Sequence, residues 1–176
     1  VACFERHPDV DAVFGSYDDT PDHPAILSQY RNLLHHFVHQ HGRREASTFW
    51  AGCGAIRRQL FAEVGGFDER YARPSIEDIE LGYRLKALGG LIRLDKELQA
   101  THLKRWNFYS MIRTDVACRA VPWSRLILQT RNLPDDLNLK LGQRASFVLV
   151  AFACAFLVLS PVNLEWLGAS SAAILG

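Results

Sequence analysis

The sequence predicts an α/β fold, because segments with the composition of strands alternate with segments of helical periodicity. Val10–Tyr17 is rich in β-branched and aromatic residues, and residues 25–41 carry apolar side chains at helical spacing. A further helix is expected to begin at Ser75, where the letters S-I-E-D match a capping box. The chain has 176 residues, of which 48% are hydrophobic, so it is long enough to bury a core.

The remaining elements follow from composition, periodicity and glycine pairs that end helices. They are, in chain order, an extended segment over Ser47–Ile56, a short helix over Arg57–Val64, a short strand over Leu91–Leu94 and helices over Phe108–Ala120 and Ser124–Thr130. Pro122 is expected to separate the last two helices.

The charge and cysteine content exclude some classes of protein. Twenty Lys and Arg residues against nineteen Asp and Glu residues give a net charge of +1, so we expect no nucleic-acid partner. The four cysteines lack C-x-x-C spacing, which argues against a zinc site and favours buried free thiols. The chain opens on Val1 without a methionine and ends at Gly176 within an apolar run, which favours an internal piece of a longer protein.

The end of the chain is strongly apolar. In residues 145–176 the only charged side chain is Glu165, and the uncharged run over Ala145–Leu164 would span about 30 Å as a helix, the thickness of a bilayer core. This predicts a transmembrane helix, although Pro161 shortens it and a buried core helix is the alternative.

The basic residues Lys140 and Arg144 precede the apolar run, so the positive-inside rule places the body of the protein on the cytoplasmic side of an inner, cytoplasmic membrane. We therefore expect three parts. A folded body covers residues 1–130, a linker or interfacial segment covers residues 131–144, and a transmembrane region covers residues 145–176.

Five carboxylates lie within thirteen positions around the expected helix start: Asp68, Glu69, Glu77, Asp78 and Glu80. A helix N-terminus stabilises each nearby anion by about 0.3–1 kcal/mol, so surface charges that match the helix dipole are one interpretation. A carboxylate at a rigid helix start can also take the proton of a hydroxyl group, which is the catalytic interpretation.

The neighbouring segments favour catalysis. The glycines of the W-A-G-C-G segment (Trp50–Gly54) let a ligand approach the backbone closely, and basic side chains can neutralise a departing diphosphate. His102 is of a type that ligates divalent metals. His35 and His39 also have the i,i+4 spacing of a metal pair, but we expect them to lie on a partly exposed helix face.

The order of five motifs makes the sequence resemble a family 2 glycosyltransferase, more narrowly the bacterial membrane-attached members with the GT-A fold. The motifs are G-S-Y-D-D-x-P, F-W-A-G-C-G-A-I-R-R, V-G-G-F-D-E, S-I-E-D-I-E-L-G-Y-R-L and T-H-L-K-R-W. The similarity runs from about Val1 to Trp106. It implies part of a GT-A domain, a Rossmann-like nucleotide-diphospho-sugar transferase fold, followed by a membrane helix.

The resemblance implies an inverting transfer of sugar from a nucleotide-sugar donor to the hydroxyl group of an acceptor. A lipid-linked or cell-envelope glycan is the acceptor that membrane attachment suggests. The family's acidic pair falls on Glu77 and Asp78, with Asp78 as the general base and Glu77 orienting the acceptor or the base. Ala51, Gly52, Cys53 and Gly54 would line the pocket, beside Trp50.

Further roles follow for the T-H-L-K-R-W motif. His102 matches a position at which some GT-A enzymes place a metal-ligating histidine. Arg105 and Trp106, expected to bind substrate, resemble part of the Q-x-x-R-W signature of processive members. His102 replaces the glutamine of that signature, which argues against processive polymerisation.

The implied cofactor is a divalent metal, Mg or Mn, held mainly through a D-x-D motif. The sequence has no D-x-D after a suitable strand, since Asp9-Val10-Asp11 precedes a strand and Asp18-Asp19 lacks the spacing. We therefore expect the nucleotide-binding half to lie upstream of Val1, and this piece alone to bind donor poorly. A non-catalytic membrane-anchored scaffold and a nucleotidyl- or phosphotransferase with a related sheet are the alternatives.

Overall fold

The computed structural model describes residues 2–159, with side chains through residue 155. The chain divides into two compact units, Val1–Leu139 and Lys140–Gly176. The strands of the first unit are β1 (Ala12–Tyr17), β2 (Glu45–Ala46), β3 (Gly54–Ile56) and β4 (Ile92–Ala100). Its helices are α1 (Ala2–Arg6), α2 (Ile26–Gln40), α3 (Arg58–Glu63), α4 (Glu77–Ala87), α5 (Phe108–Arg113) and α6 (Val121–Thr130).

The four strands form one mixed sheet in the order β2-β4-β1-β3. β1 pairs in parallel with β4. On the outer edges of this pair, β3 is antiparallel to β1 and β2 is antiparallel to β4. The parallel register places Tyr17, at the end of β1, opposite Ala100 at the end of β4. The predicted α/β class is confirmed, and this architecture is compatible with a glycosyltransferase domain.

The main core lies between the sheet and the helices α2 and α4. It is built from side chains that the strands and helices bury almost completely, among them Phe14, Phe49, Leu81, Leu85 and Leu94. Burial of each of these side chains stabilises the fold by about 1.5–3 kcal/mol. The core therefore holds the end of β1 and the start of α4 in fixed positions.

The start of α4 differs from the predicted capping box. The helix begins at Glu77, and the Ser75 hydroxyl donates to the carbonyl oxygen of Cys118, 43 residues away, at 2.7 Å. The Glu77 carboxylate instead accepts the backbone N–H of Ser75 at 2.6 Å. The capping-box prediction is wrong because a tertiary partner takes the serine hydroxyl.

The segment after the sheet is one continuous helical run, whereas two helices separated at Pro122 were expected. A π-helical segment over Thr114–Ala120 joins α5 to α6. Pro122 lies in the first turn of α6, where a missing N–H and a fixed φ are tolerated. π-Helical turns are rare and occur often at functional sites.

One predicted strand and one predicted helix are present with bounds that differ from the predicted ones. The strand expected over Leu91–Leu94 extends to Ala100, because β4 pairs along the whole length of β1. The short helix after β3 ends at two glycines with positive φ, 79° for Gly65 and 72° for Gly66, as expected for a helix stop.

The second unit contains α7 (Leu141–Leu159), which includes the first half of the predicted transmembrane region 145–176. Among the helices that the structure describes, none has both the length and the apolar character needed to cross a bilayer. The predicted transmembrane helix is therefore not supported over residues 145–159, and the rest of that region lies outside the described residues. The predicted part boundaries at residues 130 and 144 stay predictions.

Candidate functional site

A cavity of about 360 Å³ lies within the first unit, between the end of β1, α2, the start of α4 and the π-helical segment. Its size is within the range of small-molecule sites, roughly 300–1,000 Å³. Besides apolar and neutral polar side chains, its lining includes the aromatic residues Tyr17, Phe49, Trp50 and Trp123, the acidic residues Asp78 and Asp115, and the basic or imidazole residues Arg31, His35, His39 and Arg119.

Helical spacing explains why these side chains meet. Arg31, His35 and His39 follow one another at intervals of four residues, so they occupy one face of α2. Asp115 and Arg119 are also four residues apart, on the π-helical segment. Two helical surfaces of mixed charge therefore face the same cavity.

Asp78 is the carboxylate that the start of α4 brings to this cavity. Its Oδ2 accepts the backbone N–H of Ala51 at 3.1 Å, and its Oδ1 accepts that of Ile79 at 2.8 Å. Burial raises the pKa of the Asp78 carboxyl, and the two N–H groups partly oppose this shift. A raised pKa makes the carboxylate a stronger base, which is what proton removal from a hydroxyl requires.

The W-A-G-C-G segment contacts Asp78 through the backbone N–H of Ala51. Ala51–Cys53 form one turn of 3₁₀-helix, and Gly54 begins β3. A Cβ at Gly52 would lie 2.4 Å from the indole ring of Trp50, and one at Gly54 would lie 2.6 Å from the ring of Phe49. Both glycines therefore allow the two aromatic side chains to fold back onto the backbone. Of this segment, Trp50 lines the cavity. Ala51, Gly52, Cys53 and Gly54 do not line it, and their substrate-binding roles stay predictions.

Glu77 and Arg105 do not line the cavity. The Glu77 carboxylate is held by the Ser75 N–H, one residue before Asp78, so it can act on Asp78 only through position and charge. Arg105 is exposed. The catalytic and binding roles of these two residues stay predictions.

The histidines of α2 correct one expectation. His39 is 5% exposed, and its ring packs against Phe14 and Trp50 with centroids 5.8 and 5.3 Å apart. Burial lowers the pKa of His39 to about 4, and burial together with Arg119 lowers the pKa of His35 well below its usual value. The expected partly exposed face is wrong for His39, because α2 turns it toward the sheet, whereas His35 is partly exposed as expected.

Arg31 and Arg119 are the two cations of the cavity. Arg31 is buried and forms an ion pair with Asp115, and its guanidinium lies 5.5 Å from the ring centroid of Trp106. An Arg119 Nη1 donor lies 3.4 Å from Nε2 of His35, which must accept, since a guanidinium only donates. Burial and the neighbouring Arg31 lower the pKa of Arg119.

His102 and Trp106 lie next to the cavity. The pairing of β1 with β4 carries His102 to Tyr17, with ring centroids 4.4 Å apart, and the Trp106 ring stacks on His102 at 6.3 Å. Trp106 is 5% exposed, and its backbone N–H donates to the Ser28 hydroxyl. This tryptophan is a structural link between α2 and the end of β4.

The surroundings of His102 do not suit a divalent cation. Burial lowers its pKa, and so do the positive charges of Lys104, Arg119 and Arg31. Within residues 2–159, no group of three or more His, Cys, Asp or Glu side chains is arranged to hold a metal ion. The predicted Mg or Mn ion and its ligation by His102 stay predictions.

The two D-x-D candidates have structural contacts. The Asp11 carboxylate accepts the N–H of Leu91 at 2.9 Å, which joins β1 to the start of β4. The Asp18 carboxylate accepts the Thr101 hydroxyl and the Thr20 N–H. The Asp11 and Asp18 carboxylates thus bind backbone and hydroxyl groups of this chain.

Sequence reasoning missed Arg31, Asp115 and Arg119. Arg31 and Asp115 are 84 residues apart, and no local pattern connects them. The spacing of Arg31 with His35 and His39 on one helix face was the available signal, since a cation and two imidazoles on a buried face require partners.

Residues 31–107 match a family model described as the N-terminal domain of galactosyltransferase. The matched range includes most of α2, the W-A-G-C-G segment, α4 with Asp78, and the T-H-L-K-R-W motif. This match supports a glycosyltransferase-type domain, which in general transfers sugar from a nucleotide-sugar donor to an acceptor. No curated protein matches the chain.

Proposed function

We propose that this chain is the acceptor-side part of an inverting, family 2 glycosyltransferase domain. The observation that carries the proposal is Asp78, a carboxylate held by two backbone N–H groups inside a cavity with aromatic walls. The match of residues 31–107 to a galactosyltransferase domain model supports the same class of chemistry. Aromatic side chains such as Trp50 and Tyr17 present apolar faces that suit the faces of a sugar ring.

The proposed reaction is one displacement at the anomeric carbon of the donor. The acceptor hydroxyl oxygen attacks that carbon while the bond to the diphosphate oxygen breaks, and the bonding electron pair leaves with the nucleoside diphosphate. Asp78 takes the hydroxyl proton, and its raised pKa favours that transfer. One displacement inverts the configuration of the carbon.

Glu77 and the W-A-G-C-G segment have supporting roles in this proposal. Glu77 adds a negative charge that raises the pKa of Asp78, which is an orienting and tuning role. The Ala51 N–H holds one Asp78 oxygen, so the turn over Ala51–Cys53 positions the base. Trp50 lies in the cavity wall beside them, where an acceptor or donor sugar would bind.

A lipid-linked or envelope glycan acceptor, attachment to the inner membrane and a cytoplasmic catalytic body are further proposals that rest on the apolar run after Arg144. A requirement for Mg or Mn rests on the resemblance to family 2. The positive charges of Lys104, Arg119 and Arg31 near His102 would oppose a cation bound to its ring.

The test is the Asp78→Asn variant of the intact protein, measured by the release of nucleoside diphosphate from nucleotide-sugars in the presence of acceptor. Loss of a general base is expected to lower kcat by about 10²–10⁴-fold. Asp22→Asn is the matched control, since Asp22 is exposed and outside the cavity. Wild-type kcat in Asp78→Asn would refute the assignment of the base.

Product analysis separates the two alternatives. A nucleotidyltransferase would move the nucleotidyl group and release no nucleoside diphosphate. A scaffold would give the same background release with wild-type protein and with Asp78→Asn. Either result would overturn the proposed function.

A further inference from the structure

The cavity brings two guanidinium groups, Arg31 and Arg119, to the same wall region, beside the carboxylates of Asp78 and Asp115. Arg31 and Arg119 both line it, and Lys104 lies 3.8 Å from the ring centroid of Trp106, on which the Arg31 guanidinium also packs. Asp115 is already the ion-pair partner of Arg31, and both Asp78 oxygens accept backbone N–H groups. Arg119 forms no ion pair within the described residues, and the nearby positive charge of Arg31 repels it, so an anion bound between the two guanidinium groups would lessen that repulsion.

Arg31 also has a donor without an acceptor. Its side chain is 8% exposed, and its Nε is one of the buried polar atoms within residues 2–159 that have no hydrogen-bond partner. The indole N–H of Trp106, whose ring packs against Arg31, is another. Leaving a buried donor unsatisfied costs about 1–3 kcal/mol, so such atoms are rare without a reason.

Arg119 lies on a helical segment that the Arg31–Asp115 ion pair holds in place. The π-helical segment places it four residues after Asp115, so the Arg31–Asp115 ion pair fixes the segment that carries Arg119. Within the described residues, Arg119 hydrogen-bonds the neutral His35 ring at 3.4 Å, a weak and uncharged acceptor, and forms no ion pair. Asp115 and Asp78 attract it only at longer range, so its planar donors are suited to an anionic ligand.

We propose that Arg31 and Arg119 form an anion subsite of this cavity that binds a phosphate or diphosphate group. The planar donors of two guanidinium groups match the oxygens of a phosphate in paired hydrogen bonds. The subsite rests on the proposed function, in which Asp78 in the same cavity deprotonates the acceptor. Arg119 lies beyond the residues that match the galactosyltransferase model, so that match does not assign it.

Two sources of this phosphate chemistry fit the proposed function. One is the diphosphate of the nucleotide-sugar, whose negative charge grows as the sugar leaves. The other is the phosphate of a lipid-linked acceptor. Both present the same oxygens to Arg31 and Arg119, and they differ in whether a nucleoside or an apolar chain adds to the affinity.

The experiment measures binding of inorganic pyrophosphate to the intact protein by titration calorimetry. We expect binding that weakens about tenfold or more in Arg119→Gln, because a charge-assisted pair of hydrogen bonds is lost. Arg125→Gln is the matched control: Arg125 is exposed, lies on the same helical run and is outside the cavity. Unchanged affinity in Arg119→Gln, or no pyrophosphate binding by the wild-type protein, would overturn the proposal.

A second variant shows whether lost binding in Arg119→Gln comes from the missing guanidinium or from misfolding. Arg119→Lys keeps the charge but loses the planar fork, and we expect affinity between that of the wild type and that of Arg119→Gln. Uridine diphosphate and geranyl phosphate are titrated in parallel. Tighter binding of uridine diphosphate than of pyrophosphate, with the same dependence on Arg119, would identify the nucleotide-sugar as the source of the phosphate. Tighter binding of geranyl phosphate would identify the lipid-linked acceptor.

Asp78→Asn separates this proposal from the proposed function. Removing a negative charge from the cavity should leave pyrophosphate binding equal or tighter, while sugar transfer is lost. Arg119-dependent binding in a protein that transfers no sugar would support the subsite and refute the proposed function. Sugar transfer that depends on Asp78 but is indifferent to Arg119 would refute the subsite alone.

Discussion

At Gly82, packing and helix propensity predict opposite effects of an alanine substitution on the free energy of unfolding. It lies inside α4, where replacing glycine by alanine stabilises an exposed helix by about 1 kcal/mol. In this structure, however, a Cβ at Gly82 would lie 2.4 Å from the main-chain nitrogen of Phe49 and 2.9 Å from two Thr48 backbone atoms. Backbone atoms cannot rotate away, so α4 and the Thr48–Phe49 segment must separate.

The size of the effect follows from these contacts. Overpacking of this kind costs about 1–3 kcal/mol, and contact with main-chain atoms places Gly82→Ala toward the upper end. Separation of the two segments also stretches the hydrogen bond from the Ala51 N–H to Asp78, worth about 1 kcal/mol. After subtraction of the helix-propensity gain, we expect the free energy of unfolding to fall by about 3 kcal/mol.

Urea unfolding followed by tryptophan fluorescence measures this loss. With a urea m-value of about 1–3 kcal/mol/M, the midpoint should fall by about 1 M or more. Gly142→Ala is the control, because a Cβ at that helical glycine would meet no atom within 4 Å. A Gly82→Ala variant as stable as the wild type, or more stable, would refute the packing argument and show that propensity decides.

Two further predictions concern stability. Burial lowers the pKa of His39 to about 4, while its pKa in the unfolded state is near 6.5, so only the unfolded state gains a proton as the pH falls between these values. The free energy of unfolding should therefore be highest above pH 6.5 and decrease toward pH 4 by up to about 3 kcal/mol. The urea midpoints of His39→Phe should decrease less steeply over the same pH range. Asp115→Ala leaves the buried Arg31 without its ion-pair partner and should lower the free energy of unfolding by about 3 kcal/mol. The double variant Arg31→Met/Asp115→Ala, which also removes the buried charge, should recover part of that loss in the same urea assay. Equal stabilities of the wild type and Asp115→Ala would contradict this account.

Local signals predicted most of the elements that form the site. The helix over residues 25–41 and the helix ending at Gly65-Gly66 follow from periodicity and glycine stops, which act over one or two turns. The helix start that carries Asp78 was also predictable, because several acidic residues favour a helix N-terminus. These properties depend on neighbours in sequence.

The partners of the site residues were not predictable in this way. The Ser75 hydroxyl was expected to cap α4, but it donates to the carbonyl oxygen of Cys118. The expected break at Pro122 is absent, because a π-helical segment over Thr114–Ala120 leads directly into α6. Both errors involve the helical run 108–130, which packs against residues far away in sequence. A hydroxyl group has one proton to donate, and only the fold determines which of several acceptors lies within reach.

The sequence by itself therefore determined the α/β class, the positions of the helices and the acidic start of α4, since these depend on short-range periodicity and helix electrostatics. Only the tertiary structure decided that His39 is buried and that Arg31 meets Asp115 across 84 residues. It also decided that Arg119 joins Asp78 at one cavity. Burial and long-range pairing are properties of the packed chain, because they depend on which surfaces the sheet and helices bring together.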